Sequence, residues 1–213
     1  IVYEYYDTTL SRRFIYYTKN DGTYFQTPIQ LTTSYDFNFN CTYPSIAVDA
    51  YDIPYIVFTY DDFGTSYNSK NILYSRNLEK PWRLTQDNYD EMNPDIAVSS
   101  TGLVAVVYER DVGGDNTNIY CIIKNPEYLM FQDDIVVTTN GGFDKYPKVA
   151  IDLNYNIHIV WEGYCGSTGK FNIFYNCGRI QTQTTTTTSI PGFVMLPVII
   201  AIASPIIYKK LKK

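Results

Sequence analysis

Three stretches of the chain set apolar and polar positions in the same order. Pro-Ser-Ile-Ala-Val-Asp starts at Pro44, Pro-Asp-Ile-Ala-Val-Ser at Pro94 and Pro-Lys-Val-Ala-Ile-Asp at Pro147. A second apolar run follows each, with a valine at the same distance beyond the proline every time, at Val57, Val107 and Val160. A third run is marked by Ile72, Ile119 and Ile173. The chain opens inside the same pattern, because Val2 and Ile15 are separated by that distance too. Units of roughly 50 residues built from short apolar runs predict an all-β repeat fold, a β-propeller of four-stranded blades.

Within a unit, the first strand (residues 45–49 in the earliest copy) is made of small and branched side chains that suit the crowded inner edge of a blade. The proline is expected at its first position, where a missing N–H costs no ladder bond. Second strands are expected at 54–60, 103–109 and 156–162, matching 1–6, and third strands at 71–74, 118–121 and 172–175. Fourth strands read at 28–32, 82–85 and 134–138. The tally is strands two to four of one blade, two whole blades, and strands one to three of another, with units starting near residues 1, 44, 94 and 147. Closing such a set on itself leaves three blades, below the usual minimum of about four. The sequence therefore predicts an incomplete ring over residues 1–180, part of a larger propeller whose open sheet edges favour self-association.

After the repeats the composition changes. Residues 181–189 form a threonine-rich linker, and 190–208 contain no charge before Lys209-Lys210-Leu211-Lys212-Lys213. As a helix, 19 residues span roughly 28 Å, close to the apolar thickness of a bilayer. The expectation is a transmembrane helix with the basic tail in the cytoplasm and the repeats outside the cell, so that the lipid bilayer is one partner. The threonine-rich spacer, Pro191-Gly192-Phe193, the apolar span and the basic end together resemble the carboxyl-terminal sorting regions of archaeal surface proteins. That resemblance implies a cell-surface anchor.

Net charge of −5 and a pI near 4.8, with no basic stripe, argue against nucleic acid as a partner. The 22 tyrosines and 11 phenylalanines reinforce the strand reading.

With the strands placed, Ile15-Tyr16-Tyr17-Thr18-Lys19-Asn20-Asp21-Gly22-Thr23-Tyr24, continuing through Pro28-Ile29-Gln30-Leu31-Thr32, resembles the Asp-box turn of the sialidase-like, or BNR-type, propeller superfamily. The resemblance implies that Asp21 is the box aspartate, Gly22 a turn glycine and Tyr24 the box aromatic. In the second unit Trp82 is what remains of the box. Sialidase-like enzymes carry an arginine cluster for the substrate carboxylate. The six arginines here, at 12, 13, 76, 83, 110 and 179, do not supply one.

Glu4, Glu109 and Glu162 each lie two residues after the aligned valine, with Thr59 in the remaining unit. Acids that recur from blade to blade point to hairpin or blade-contact devices, whereas a catalytic group appears once. Asp61-Asp62 and Asp111 with Asp115 follow no calcium-loop signature, so neither a metal nor a cofactor is expected. Cys165 follows the second strand of the last unit and Cys177 ends its third, which suggests a disulfide between them. Asn40-Cys41-Thr42 is an N-glycosylation acceptor sequence.

These features point to an extracellular, membrane-anchored propeller that binds a surface glycan or protein and is not itself an enzyme. Tyr60, Phe63, Tyr67, Tyr108 and Tyr164 are the candidate contacts, since aromatic faces stack on sugars and fill protein interfaces. The alternative is a sialidase-like glycoside hydrolase whose catalytic residues lie partly outside this chain.

Overall fold

In a computed structural model of the chain, the structure describes residues 1–179 apart from 34–36, 38, 62–68, 115, 128–129, 140 and 166–168. The expected all-β architecture is present as four antiparallel sheets. The first comprises β1 (Val2–Asp7), β2 (Arg12–Tyr17) and β3 (Ile29–Gln30). The second comprises β4 (Cys41–Val48), β5 (Pro54–Asp61), β6 (Lys70–Arg76) and β7 (Trp82–Arg83). The third comprises β8 (Glu91–Val98), β9 (Val104–Gly113), β10 (Asn116–Lys124) and β11 (Ile135–Val136). The fourth comprises β12 (Asp144–Ile151), β13 (Asn156–Cys165) and β14 (Lys170–Arg179). Each sheet is a meander in chain order, and the described residues contain no helix.

Conserving one order of side chains conserves one set of local bonds. The residue that ends each inner strand caps the next turn. Asp49 Oδ1 accepts the N–H groups of Tyr51 and Ile53, and Asp152 Oδ1 accepts those of Asn154 and Asn156. Ser99 Oγ does the same for Thr101 and Leu103. The short outer strands are held by Thr32, Thr85 and Thr138. Their hydroxyls accept the N–H groups of Ile15, Ile72 and Ile119 at 2.8, 2.9 and 2.9 Å. The Asp21 turn forms as the resemblance implied. Asp21 Oδ1 accepts the N–H groups of Thr23 and Tyr24, and Gly22 takes φ +102°, open to glycine without strain.

The prolines sit differently from expectation. Each inner strand begins three residues earlier, so Pro44, Pro94 and Pro147 lie inside it, at a break in register with the second strand. The residue before each proline has a left-handed φ: 53° at Tyr43, 50° at Asn93 and 52° at Tyr146. A bulge leaves one residue out of the ladder, which is where a residue without an N–H is tolerated.

Neighbouring sheets pack face to face through three apolar clusters. Ile15 with Ile56, Phe58 and Leu73 joins the first to the second; Val57, Ile72 and Tyr74 with Val104, Val106 and Ile122 join the second to the third. Val107, Ile119 and Cys121 with Ile157, Ile159 and Trp161 join the third to the fourth. Val57, Val107, Ile72 and Ile119 are fully buried, each such side chain stabilising by about 1.5–3 kcal/mol.

Two of the recurring acids join sheets, one of the two roles the sequence suggested. Glu4 Oε1 accepts the N–H of the bulge residue Tyr43 of the next sheet at 2.7 Å, and Glu109 Oε1 accepts that of Tyr146. Asp95, next to Pro94, joins the three inner strands. It accepts Ser45 Oγ at 2.7 Å and the Val149 N–H at 2.9 Å, and lies 3.3 Å from Lys148 Nζ.

The expected disulfide is not formed. In the β13–β14 hairpin Cys177 stands opposite His158, whereas Cys165 stands opposite Lys170, seven register positions away. At roughly 3.4 Å per residue the two backbones are more than 20 Å apart, against under about 7 Å for a disulfide. Cys177 is an exposed free thiol. The linker, the apolar span and the basic tail lie outside the described residues. Among those described, no helix is long and apolar enough to cross a membrane.

Candidate functional site

A groove of about 550 Å³ opens between the second and third sheets. β7 and the segment after it supply Trp82, Arg83, Gln86 and Asp87. The approach to β11 supplies Met130, Phe131, Gln132, Asp133 and Asp134, and β9 supplies Tyr108 and Arg110. One wall is aromatic. Trp82, Phe131 and Tyr74 meet edge to face with ring centroids 5.0–5.9 Å apart, and Trp82 stays 43% exposed.

The groove is also lined by an ion cluster around Arg110. Its guanidinium donates to Glu91 Oε1 from Nε at 2.9 Å and from Nη2 at 2.6 Å. The same Nη2 lies 2.6 Å from Asp134 Oδ2 and 2.9 Å from Asp87 Oδ2. Tyr108 donates its hydroxyl to Asp134 Oδ2 at 3.2 Å. Arg110 sits 4.1 Å from the centroid of the Tyr120 ring, itself stacked on Tyr108. Three carboxylates therefore face one cation.

Glu91 is fully buried behind Arg110, and its Oε2 has no hydrogen-bond partner among the described residues. Burial, helped by the Asp87 charge, pushes its carboxyl up to about 7, against the opposing pull of Thr85 and Arg110. Burial likewise drives the Tyr108 hydroxyl far above the usual range for tyrosine.

Among the described residues this cluster occurs once. Glu91 and Arg110 are opposite each other in register, and the equivalent pairs are Cys41 with Tyr60 in the second sheet and Asp144 with Gly163 in the fourth. A residue that departs from the repeat was the available signal, and the sequence reading did not use it. Glu91, Asp87, Asp134 and Phe131 were missed, and Trp82 was taken only as a remnant of the Asp-box.

Of the predicted contacts, the three described ones, Tyr60, Tyr108 and Tyr164, are not brought together. Tyr60 is buried between the first and second sheets, edge-on to Phe37 with Arg83 over its ring, so it is core rather than a contact. Tyr108 is also fully buried, although its hydroxyl belongs to the groove. Tyr164 is exposed on the fourth sheet, edge-on to Phe171 and away from the groove. Phe63 and Tyr67 lie outside the described residues. Asn40 is partly exposed, and its side-chain oxygen accepts the Arg13 N–H at 2.9 Å. Among the described residues no cluster of three or more metal-binding side chains occurs.

Searches against protein-family models and against curated proteins give no match. Solved structures do match. A Hadza microbial sialidase aligns at a TM-score of 0.50 and 8% identity over 65% of this chain, which spans 35% of that chain. An endo-arabinase from Bacteroides thetaiotaomicron VPI-5482 aligns at 0.48 and 13% identity, over 83% of this chain and 74% of its own. A fucose lectin from Kordia zhangzhouensis, solved with methyl-fucoside, aligns at 0.42 and 12% identity, over 63% and 91%. With so few identical residues, what the sialidase likeness shows is the fold. The expectation that this chain is no enzyme rested on the lack of a unique reactive cluster. That expectation is overturned: the fold is one a hydrolase also has, and an unrepeated cluster of charged side chains stands around Arg110 among the described residues.

Proposed function

We propose that the chain is a propeller-type, glycan-acting domain displayed at the cell surface, with glycoside hydrolysis as its reaction class and with catalytic groups lying partly outside this chain. The observation that carries this reading is the exposed Trp82 indole set beside the Arg110–Asp87–Asp134 cluster in one groove. An indole face stacks on the C–H face of a sugar ring, and Gln86, Gln132 and the aspartates bond its hydroxyls. Asp87 and Asp134 hold one nitrogen between them, so those two oxygens are no more than about 5.5 Å apart. Glu91, the raised acid, is closed off behind Arg110, so the proton donor to the leaving sugar is the part assigned outside this chain.

The charge balance favours a neutral sugar. Arg110 already faces three carboxylates, so an anionic glycan meets net repulsion at this wall. The surface location rests on the uncharged run 190–208 followed by lysines.

A glycan array with the full-length protein tests the binding half. Saturable binding to neutral glycans is expected, with a loss of affinity of about tenfold in Trp82→Ala, equivalent to roughly 1.4 kcal/mol. Absence of any glycan binding, or binding unaffected by Trp82→Ala, defeats the assignment of the groove. A panel of neutral glycosides tests the hydrolytic half, with Asp134→Asn expected to abolish turnover.

A further inference from the structure

We infer that Cys177 is a nucleophilic thiol, served by His158 as its base through the Tyr175 hydroxyl, and that it takes up small disulfides by exchange. The β13–β14 register sets His158 directly opposite Cys177 and Val160 opposite Tyr175. Opposite residues share one face of a sheet, and so do residues two apart along a strand, which gathers imidazole, phenol and thiol together. The Tyr175 hydroxyl lies 2.8 Å from His158 Nδ1 and is hydrogen-bonded to Cys177. The imidazole and phenol rings stack with centroids 6.0 Å apart. On the far side of the imidazole, Nε2 lies 3.3 Å from Asp152 Oδ2. Thiol, hydroxyl, base and acid thus form one line that ends at an exposed sulfur.

The acid fixes where the protons lie. Hydrogen bonds from the Asn156 side chain and from the Asn156 and Asn154 N–H groups hold the Asp152 carboxyl down at about 2, so it is a charged acceptor at neutral pH. It takes the Nε2–H of His158, which leaves Nδ1 as an acceptor. The Tyr175 O–H fills Nδ1, and the phenolic oxygen is left to accept the thiol S–H. Transfer along this line moves the S–H proton to Tyr175 and the Tyr175 proton to Nδ1. The product is a thiolate served by an imidazolium that is bonded at both nitrogens. On its other side His158 faces Ala150 of β12, which brings no charge to compete. A nucleophile, a base and a third group that orients the base is the arrangement that activates a weak nucleophile.

The cluster departs from the repeat while using its frame. In the second sheet the same two positions hold Tyr55 and Arg76: Arg76 Nε donates to the Tyr55 hydroxyl, which donates to Asp49 Oδ2. That line ends on a guanidinium, which keeps its proton. In the third sheet the positions hold Ala105 and Ile123. The fourth keeps the acid and sets a base and a thiol on it. Cys41 and Cys121 differ from Cys177 in being buried, and burial pushes both thiols up to about 12. In the exchange, the Cys177 thiolate attacks one sulfur of the disulfide. The S–S bond of the reagent breaks as the new bond to Cys177 Sγ forms, and the departing sulfur takes the proton back from His158 by way of Tyr175. Cys177 is oxidised and the disulfide yields one thiol, with no other reactant.

Dithiodipyridine tests this in the full-length protein carrying Cys165→Ser, because the thiopyridone it releases is read by absorbance. Cys177 is expected to react at least tenfold faster than the thiol of glutathione at neutral pH. Its rate should stay high below about pH 8, where an unassisted thiol is mostly protonated. Tyr175→Phe keeps the ring stacked on His158 and removes only the hydroxyl. It should slow the reaction at least tenfold and restore the steep rise with pH of an unassisted thiol, and His158→Gln should do the same. Oxidised glutathione should leave a mixed disulfide on Cys177, located by mass spectrometry. A parent that reacts no faster than glutathione overturns the proposal, whether or not the variants fold. So does a folded Tyr175→Phe protein with the parent's pH profile, or a parent that forms no mixed disulfide.

Discussion

Glu109 and Glu91 are both buried acids, yet they are held in different ways. Glu109 Oε1 takes the Asn93 side-chain amide and the Tyr146 N–H, the first from its own sheet and the second from the next. Removing the acceptor strands two donors at a buried interface. Glu109→Ala is therefore expected to cost roughly 3 kcal/mol, at about 1.5–3 kcal/mol per charged hydrogen bond. Chemical denaturation checks this, with the more exposed Glu4→Ala expected to lose about 1 kcal/mol or less. Glu91 gives a pH signature instead. Its carboxyl is near 7 in the folded chain against 4.5 unfolded, so between those values the unfolded chain has released a proton that the folded chain keeps. Stability must then fall as pH rises from 4.5 to 7. Glu91→Gln does not titrate. Wild type should lose up to about 3 kcal/mol relative to that variant across the window, read as a difference in unfolding free energy at each pH. A difference that stays flat with pH would show that Arg110 fully offsets burial.

At the level of the element, the outer strands depend on a threonine rather than on length. β3, β7 and β11 are two residues each, too short to hold by ladder bonds alone. Thr138 bonds the N–H of Ile119 while the Val137 N–H bonds the Ile119 carbonyl at 2.8 Å, so one residue of β10 is gripped from both sides. Thr138→Val keeps the shape and removes the acceptor, leaving a buried N–H unpaired at a cost of about 1–3 kcal/mol. Hydrogen exchange at Ile119 should quicken by tenfold or more, with the distant Ile72 amide unaffected. The second sheet shows the same dependence in reverse. Thr59 replaces the recurring glutamate, and its buried hydroxyl has no hydrogen-bond partner among the described residues, so apolar packing among Val57, Ile72, Val104 and Val106 is what holds this interface.

For the whole molecule, stacked sheets with a groove between the second and third separate two tasks, since packing faces are fixed by the repeat while one unit departs from it. The departure places three acids and an arginine beside an exposed tryptophan without disturbing Val57, Val107 or Ile119 beneath. The tail adds a topology to be tested at this scale. External protease should remove the repeats from intact cells and leave a stub that holds residues 190–213. An aspartate in place of Ile200 should weaken membrane retention, because a charge at mid-membrane costs about 2.5–3.5 kcal/mol on insertion scales. Recovery of uncut full-length chain in the soluble fraction would remove the anchor from the account.

Side-chain order alone was enough to place the sheets. Val57, Val107 and Val160, each at one fixed spacing past a proline, located the second strands, because a repeat must bury the same face of each unit. The role of Glu4 and Glu109 was legible for a related reason, since an acid recurring at one strand position meets the same neighbour each time. Where the prolines sit is a matter of three-dimensional pairing, because a bulge depends on the register of two strands and leaves no mark on the pattern of one. Pairing also separated Cys165 from Cys177, since a hairpin's register, rather than nearness to strand ends, sets which residues meet. Sheet stacking buried Tyr60, a predicted contact, and exposed Trp82, which the sequence offered only as a remnant of the Asp-box. The groove was the least legible feature of all. Glu91 and Arg110 come from two strands, Asp87 and Asp134 from the segments before β8 and β11, and only the stacking of one sheet on the next sets Trp82 beside them.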